Sequence, residues 1–160
     1  VIWVWLLVLL LSGFLYAVFF GAPYVPSFKR DLDELLSLAA VHEGTQFIDL
    51  GSGDGTVLLA AVRRGATVTG YEINPVLWLI SLCRLRKFRA RAHLRLGSMW
   101  RAKIGDADVV YMYLHTNWMS KMERKLIAEL PRGAKVVSYV FEFTGLKQVA
   151  KTRNAQVYEL

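Results

Sequence analysis

Short apolar runs alternate with segments of helical hydrophobic spacing over most of this chain. The apolar runs predict five strands, over Gln46–Leu50, Thr67–Tyr71, Ala92–Leu96, Ala107–Tyr113 and Ala134–Phe141. The helical spacing predicts helices over Asp31–Ala40, Thr56–Arg64, Pro75–Arg86 and Ser120–Leu130. Asn74 is expected to cap the helix that begins at Pro75. Strands that alternate with helices indicate βαβ units, and therefore an α/β fold with a mainly parallel sheet and helices on both faces.

The end of the chain predicts a different strand arrangement. Lys147–Lys151 and Gln156–Leu160 flank the turn residues Thr152-Arg153-Asn154, which is typical of a hairpin. Such a hairpin adds an antiparallel edge to the sheet. No repeat, linker or low-complexity stretch interrupts residues 23–160, so we expect them to form one domain.

The first 22 residues differ from the rest because they carry no charge. Only Ser12, Gly13 and Gly21 interrupt the large apolar residues of this segment. A helix of roughly 20 apolar residues can cross a bilayer core. Aromatic residues typical of the membrane interface stand towards both ends: Trp3, Trp5, Tyr16 and Tyr24. We therefore predict one N-terminal transmembrane helix over residues 1–22.

Two other interpretations of this segment are open. A cleaved secretory signal has an apolar region of about 7–15 residues and a small-residue cleavage site. This run is longer and ends in Gly21-Ala22-Pro23-Tyr24, without an A-x-A pattern. A buried core helix is disfavoured because no polar stripe appears at helical spacing. Lys29 and Arg30 follow the span, so we expect a single-pass membrane protein with its domain on the cytoplasmic or mitochondrial matrix side.

Composition separates the same two parts. The chain has 160 residues, 54% of them hydrophobic, and all 33 charged residues (20 basic and 13 acidic) lie within residues 29–160. One quarter of those 132 positions is therefore charged, the usual share for a water-soluble domain. Disordered and disulfide-scaffold proteins are excluded. Cys83 is the only cysteine, and its apolar helical neighbours predict that it packs in the core.

A net charge of +7 suits nucleic acid, anionic lipid or an acidic partner. The densest basic cluster consists of Arg84, Arg86, Lys87, Arg89, Arg91 and Arg95. We interpret it as the solvated end of a helix and the start of the next strand, with anionic headgroups as the simplest partner beside a membrane anchor. No nucleic-acid-binding signature accompanies the cluster, so nucleic acid is the disfavoured partner.

The residues after the first predicted strand form a glycine loop, Asp49-Leu50-Gly51-Ser52-Gly53-Asp54-Gly55. Ligands of doubly wound sheets bind at the carboxyl ends of the strands. The dinucleotide fingerprint G-x-G-x-x-G is absent because position 56 is Thr, and the lysine of a P-loop is absent as well. Asp49 would repel a pyrophosphate but suits a cationic ligand. Glu72 ends the second strand, where a carboxylate can bind both ribose hydroxyls, so the pair indicates S-adenosylmethionine.

Two segments of the chain resemble motifs of the class I, seven-β-strand methyltransferases: Asp49–Gly55 and Gly70-Tyr71-Glu72-Ile73-Asn74-Pro75. Pro23-Tyr24-Val25-Pro26-Ser27, after an apolar segment, is similar to one branch of that family. This branch comprises membrane-associated lysine methyltransferases of the ATP synthase c-subunit and the adenine nucleotide translocase, with prokaryotic relatives. The resemblance covers residues 23–143 and implies a Rossmann-like sheet with S-adenosylmethionine as cofactor.

The resemblance also implies roles for individual residues. Asp49, Gly51, Ser52, Gly53, Asp54 and Gly55 would hold the methionine end of the cofactor. Glu72 would bind the ribose, and Ile73 would lie against the adenine. Ser98 and Met99 occupy the place of the two middle residues of a family pattern, Gly-Asp-Leu-Trp/Phe, whose acid contacts the adenine amino group. Ser98 replaces that acid and so departs from the pattern.

The substrate side is implied by the same resemblance. Pro23, Tyr24, Val25, Pro26 and Ser27 are expected to cover the cofactor and line the reaction centre. A separate argument, the desolvation of a lysine amine, gives the candidate channel walls Tyr24, Tyr111, Tyr113, His115 and Trp118, with Tyr24 and Tyr113 closest to the chemistry. The alternative is that Tyr111 and Tyr113 only pack on one face of their strand and that His115 is an ordinary loop residue. His115 and Phe141-Glu142-Phe143 depart from the family pattern, which leaves the substrate open. No dedicated general base and no metal-ligand spacing is evident.

Three hypotheses of function follow. The first is a membrane-anchored protein-lysine N-methyltransferase that acts on a membrane protein by in-line methyl transfer to a neutral lysine amine. The second keeps the chemistry but takes a lipid or lipophilic small molecule as acceptor. The third is a non-catalytic module that binds S-adenosylmethionine. An Asn-Pro-Pro-Tyr type of motif is absent after the fourth strand, which argues against nucleic-acid methylation.

Overall fold

The structure of the chain, a computed structural model, describes residues 2–5, 8 and 29–160. Within residues 29–160, the α-helices are α1 (Lys29–Leu38), α2 (Thr56–Arg63), α3 (Pro75–Leu85) and α4 (Thr116–Glu129). Its strands are β1 (Gln46–Leu50), β2 (Thr67–Glu72), β3 (Ala92–Leu96), β4 (Val109–Met112), β5 (Lys135–Tyr139), β6 (Lys147–Lys151) and β7 (Ala155–Glu159). Short 3-10 turns lie at Arg86–Phe88 and Met99–Arg101. Residues 2–5 and 8 are helical with exposed side chains.

The seven strands form one sheet in the order β3-β2-β1-β4-β5-β7-β6. Strands β1 to β5 pair in parallel, and β7 pairs antiparallel with both β5 and β6. The winding direction therefore switches between β1 and β4, where Asp49 pairs with Tyr111. This confirms the predicted Rossmann-like α/β sheet and its antiparallel hairpin edge.

Each face of the sheet carries its own hydrophobic core, because successive strand residues point to opposite faces. Phe47 packs with α1 and α2 in the first core, whereas the next residue, Ile48, packs with α4 in the second. The same alternation separates Val109 from Val110. With both faces covered by helices, the carboxyl ends of the central strands are left for a ligand site.

Two caps at the ends of helices follow from their sequences. Asn74 caps α3 as predicted: its side-chain oxygen accepts hydrogen bonds from the backbone N–H groups of Val76 (2.9 Å) and Leu77 (3.3 Å). Helix α1 ends at Leu38 and is followed by Ala40, whose φ of 57° is left-handed, and the Val41 N–H donates to the Leu36 carbonyl at 2.8 Å. This bond pattern is a Schellman motif, which normally favours glycine at the position of Ala40.

Some predicted boundaries were wrong for local reasons. Helix α4 begins at Thr116 instead of Ser120 because His115 supplies the cap, its Nδ1 accepting from the Asn117 N–H at 3.4 Å. Strand β5 ends at Tyr139 instead of Phe141 because Val140 has a φ of 72°. Strand β4 is shorter than predicted at both ends.

The prediction that Cys83 packs in the core was also wrong. Helix α3 turns Ser81 and Leu85 inward, and both are buried, whereas Cys83 is exposed on the other side. Gly55 allows this packing, since a Cβ there would lie 2.9 Å from Ser81 Cβ.

The predicted transmembrane helix of residues 1–22 lies mostly outside the described residues. The segment Pro23, Tyr24, Val25, Pro26 and Ser27 lies wholly outside them. Among residues 2–5, 8 and 29–160, no helix combines the length and the apolar character that a membrane span requires.

Ala40→Gly is expected to stabilise the fold by about 1 kcal/mol, because glycine adopts a positive φ without the steric cost that an L side chain pays. Urea unfolding measures the change. Ala39→Gly is the matched control, since Ala39 is buried beside it and should lose stability on the same substitution. A loss of stability in both variants would contradict the strain at Ala40.

Candidate active site

The glycine loop between β1 and α2 has a backbone that only glycine adopts readily. Gly51, Gly53 and Gly55 have φ values of 103°, 54° and 79°. A Cβ built on Gly51 would meet no atom within 4 Å, so space is open beside this residue. A left-handed backbone next to open space lets a ligand approach the main chain closely.

Hydrogen bonds fix this loop to the end of β2. The Tyr71 carbonyl accepts from the N–H groups of Gly51 (2.9 Å) and Ser52 (3.0 Å). Within the loop, the Gly55 N–H donates to the Ser52 carbonyl at 2.9 Å. Gly70, two residues before Glu72, is required for this contact: a Cβ there would lie 2.8 Å from Ser52 Oγ and 2.5 Å from Leu58 Cδ1.

The buried Glu72 carboxylate joins the loop to helix α3. Its Oε2 accepts from the Gly53 N–H at 2.8 Å, and its Oε1 accepts from the Asn74 N–H at 2.7 Å. A carboxylate has about four acceptor positions. About two therefore remain for a ligand diol, and the backbone bonds hold both oxygens in place before any ligand arrives.

Three carboxylates stand around the loop, those of Asp49, Asp54 and Glu72. Asp49 is 2% exposed. Burial above all, and then the charges of Glu72 and Asp54, raise the pKa of Asp49 well above its usual value. This site is therefore unfavourable for phosphate, and a positively charged ligand would relieve the repulsion.

Asp54 orders the start of α2 and ties it to α3. Its Oδ1 accepts from the Thr56 N–H at 3.1 Å, and its Oδ2 forms a 2.6 Å ion pair with Arg84. Arg84 also donates to the Thr56 hydroxyl. The structure thus gives Asp54 a clear role in shaping the loop, next to the role in cofactor binding that the sequence predicts for it.

The residues predicted to contact adenine lie at the ends of β2 and β3. The Gly97 N–H donates to the Glu72 carbonyl at 2.8 Å, which brings the segment after β3 beside Ile73. Ser98 caps the turn Met99–Arg101, its hydroxyl accepting from the Trp100 N–H at 3.4 Å. Ile73, Ser98 and Met99 are all partly exposed, so their surfaces can be reached by a ligand.

One polar atom of the loop supports the presence of a ligand there. Ser52 Oγ is buried, and within residues 29–160 it has no hydrogen-bond partner. Buried hydroxyls without a partner are costly. This orphaned atom, the open space at Gly51 and the preset Glu72 carboxylate together fit a ligand that carries a ribose and a positive charge.

Aromatic rings line the other side of the switch point. Tyr113 follows β4 and lies 5.9 Å from Tyr139 and 5.9 Å from Phe141, measured between ring centroids. His115 lies 5.5 Å from Phe141. The predicted channel residues Tyr113 and His115 therefore share one aromatic cluster, which also contains Tyr139 and Phe141.

Two other predicted channel residues have different ring partners. Tyr111 is buried in the first core and stacks on Phe47, with ring centroids 6.5 Å apart. Trp118 pairs with Trp100 at 5.8 Å, and Lys121 Nζ lies 4.3 Å above the Trp100 ring. Tyr111 is therefore a core residue that packs in the same hydrophobic cluster as Tyr139 and Tyr113, whereas Trp118 lies beside Trp100. Tyr24 lies outside the described residues.

Sequence reasoning missed the backbone at Val140, next to this cluster. Its φ of 72° is rare for a β-branched residue, and its N–H donates to the Asn154 carbonyl at 2.7 Å. Strain of this kind costs on the order of 1–3 kcal/mol and often marks functional sites. The left-handed backbone at Val140 brings Phe141 against Tyr113. Nothing in the sequence predicts this conformation for a valine.

Known proteins match this chain closely. The family model of the ANTKMT methyltransferase domain matches residues 49–150. The adenine nucleotide translocase lysine N-methyltransferase of Mus musculus is 38% identical over 133 residues, which is 80% of this chain and 57% of that protein. A protein-lysine N-methyltransferase of Saccharolobus islandicus is 32% identical and covers 84% of this chain and 88% of its own length.

A solved structure agrees with the fold. It is described as an RNA methyltransferase from Salinibacter ruber in complex with S-adenosyl-L-homocysteine. It superposes with a TM-score of 0.76 at 32% identity and covers 84% of this chain and 91% of that one.

The strand order, the glycine loop and Glu72 define the domain class of S-adenosylmethionine-dependent methyltransferases. Within that class, the chain belongs to the ANTKMT methyltransferase domain family. Methyltransferases of this family use S-adenosylmethionine. The chain spans between 49% and 66% of the length of the vertebrate relatives that it matches.

Glu72→Ala should weaken the affinity for S-adenosylhomocysteine by about 30- to 160-fold, the equivalent of about 2–3 kcal/mol for hydrogen bonds to a charged group. Calorimetric titration measures it. Glu159→Ala, at an exposed carboxylate on β7, serves as the control and should bind normally. Unchanged affinity in a folded Glu72→Ala variant would place the ribose elsewhere.

Asp49→Asn should stabilise the ligand-free chain at neutral pH while it abolishes tight cofactor binding. Because the pKa of Asp49 is raised in the folded state, the folded chain holds its proton more firmly than the unfolded chain. The stability that the protonated Asp49 carboxyl contributes is therefore lost as the pH rises from about 4 through the folded pKa. Urea unfolding across that range should show this loss in the wild type and a flatter profile in Asp49→Asn. A steeper profile in the variant would contradict the assignment.

Proposed function

We propose that this chain is a protein-lysine N-methyltransferase that acts on a membrane protein. The observation that carries the proposal is an acidic glycine loop, with the Glu72 carboxylate placed to bind a ribose, beside a cluster of aromatic rings at the same end of the sheet. The named activities of the mouse and Saccharolobus relatives, both lysine N-methyltransferases, support the same choice.

The cofactor site fits S-adenosylmethionine by its charge. When bound, this cofactor supplies a methyl group on a positively charged sulfur. Glu72 would hold the ribose through the acceptor positions that Gly53 and Asn74 leave open. Asp49 would lie close to the positive charges of the methionine end, where the raised pKa of its carboxyl would fall back towards the usual value.

The acceptor must arrive as a neutral amine, because a protonated lysine has no electron pair to offer. With a free pKa of about 10.4, neutrality at pH 7 costs roughly 4.6 kcal/mol. The rings of Tyr113, Phe141 and His115 can lower that cost, since an amine that leaves water for apolar surroundings has a lower pKa. The lysine would lose its proton to water before the transfer. The chain then needs only to align the amine with the methyl group, so that the N–C bond forms in line as the C–S bond breaks and S-adenosylhomocysteine is left.

The membrane enters the proposal through the N-terminal segment. Residues 1–22 would anchor the chain as a single transmembrane helix, and Pro23, Tyr24, Val25, Pro26 and Ser27 would connect it to the domain beside the reaction centre. Lys29 and Arg30 support a domain on the cytoplasmic or matrix side. Anchoring would restrict the acceptors to lysines close to the bilayer. The mouse relative is named for a lysine of the adenine nucleotide translocase.

RNA is the second candidate acceptor. The Salinibacter relative is described as an RNA methyltransferase, and the net charge of this chain is +7. Against it stands the segment after β4, Tyr113-Leu114-His115-Thr116, which offers no Asn-Pro-Pro-Tyr type of motif for a planar base nitrogen.

A labelling experiment separates these acceptors. The full chain is incubated with methyl-labelled S-adenosylmethionine, a membrane fraction and total RNA, and the products are split by protease, nuclease and organic extraction. We expect protease-sensitive label that hydrolyses to methylated lysine. Label in RNA or in the organic phase, or cofactor binding without any turnover, would contradict the proposal.

Tyr113→Ala should lower the turnover number by at least tenfold and leave S-adenosylhomocysteine affinity unchanged, because a misplaced acceptor costs up to about a hundredfold in rate. Tyr113→Phe is the matched control, since it keeps the ring that desolvates the amine. Equal losses in both variants would assign the role to the hydroxyl instead of the ring.

A further inference from the structure

Helix α3 exposes an apolar face to solvent. Val76, Leu79 and Ile80 are 45%, 54% and 43% exposed, and Leu82 and Cys83 beside them are exposed as well. A surface helix normally turns its charged side outward and its apolar side inward. Here the inward side holds Ser81 with Leu85, whereas Val76, Leu79, Ile80 and Leu82 point away from the domain.

These exposed residues form one continuous stripe. At 3.6 residues per turn, the side chains from Leu82 round to Ile80 span an arc of about 160°, with Cys83 near its centre. Arg84 is the only charged residue of α3, and it falls outside that arc and forms an ion pair with Asp54. A continuous exposed apolar stripe of this kind marks a surface that another molecule or segment covers.

Basic residues continue directly from this stripe. Residues 73–105 contain eight lysines and arginines and no aspartate or glutamate. Arg86 and Lys87 in the turn after α3, then Arg89, and Arg95 on the edge strand β3 are exposed. Within residues 29–160 none of these four takes part in an ion pair. The apolar stripe is thus bordered by positive charge without local compensation.

We propose that the apolar stripe of α3 and the basic residues after it form a docking surface for an anionic lipid bilayer. The stripe would enter the interface between headgroups and acyl chains, and the basic side chains would contact the headgroups. This surface is distinct from the N-terminal segment, and the proposal holds whether or not the chain is an enzyme.

Charge favours a lipid surface over other occupants. A second copy of the chain on a two-fold axis would bring the same basic residues together and would be repelled. Residues 1–22 carry no charge, so they could cover the stripe but would leave the basic residues without a partner. Anionic headgroups above acyl chains match both features at once.

The position of α3 links this surface to the cofactor site. The helix begins at Pro75, directly after Asn74, whose N–H binds Glu72 Oε1 at 2.7 Å. Docking of α3 would therefore bring the end of the sheet that carries Glu72 close to the headgroups.

Cys83 provides a probe at the centre of the stripe without any substitution, because it is the only cysteine. The full chain, labelled there with an environment-sensitive fluorophore, is mixed with vesicles of phosphatidylcholine and phosphatidylglycerol. We expect a shift of the emission to shorter wavelength and quenching by lipids that carry a spin label on the acyl chain. Attachment by other parts of the chain would leave this label in water.

The control places the same label at the far edge of the sheet. In Cys83→Ser/Gln148→Cys the label stands on β6, opposite the β3 edge, and should stay accessible to iodide in the presence of vesicles. Replacing Arg86, Lys87 or Arg89 by serine should weaken the affinity for the anionic vesicles about fivefold each, since a basic residue contributes about 1 kcal/mol at an anionic surface. The lipid concentration that gives half of the maximal emission shift measures this affinity.

Three results would overturn the proposal. The first is a Cys83 label that remains in water while the chain is bound to anionic vesicles. The second is an equal shift with phosphatidylcholine alone, which would remove the role of the basic residues. The third is a label that is already shielded in buffer and unchanged by vesicles, which would mean that a second copy or the chain's own N-terminal segment covers the stripe. None of these results bears on methyl transfer, which the labelling experiment with S-adenosylmethionine tests separately.

Discussion

The Glu72 carboxylate is the interaction on which the candidate site depends. One oxygen accepts from Gly53 in the glycine loop, and the other accepts from Asn74 at the start of α3, both at less than 3 Å. Because both bonds come from the backbone, they fix the distance between loop and helix independently of any other side chain. The same bonds hold the carboxylate at the end of β2, where a ribose would meet it. Fold and ligand site therefore share one group.

The acidic character of this site has an energetic cost that a ligand can offset. Asp49 is buried beside two other carboxylates, and burial raises its pKa. A purely structural site would replace such a group, because an uncompensated buried charge destabilises a fold. Its presence is understandable if the working state of the domain contains a cation at this position. Stability and binding thus make opposite demands on Asp49.

Local sequence patterns predicted the fold well and the surfaces poorly. The mainly parallel sheet follows from the alternating elements, its antiparallel edge follows from the final hairpin, and the cap at Asn74 follows from one side chain. The exposure of α3 could not be predicted, because apolar spacing alone does not show which side of a helix a sheet will cover. The left-handed Val140 was equally hidden, since its backbone is held by tertiary contacts such as the bond to Asn154. The glycine loop and Glu72 could be predicted from the sequence because their chemistry requires particular residue types.

The number of protons that move when the cofactor binds is the most direct test of a cation site beside Asp49. Calorimetric titration of the wild-type chain with S-adenosylmethionine, in two buffers of different ionisation enthalpy at mildly acidic pH, gives that number. We predict net proton release, because a cation beside Asp49 lowers its raised pKa towards the usual value. Binding with proton uptake or with no proton transfer, or the absence of binding, would contradict the account.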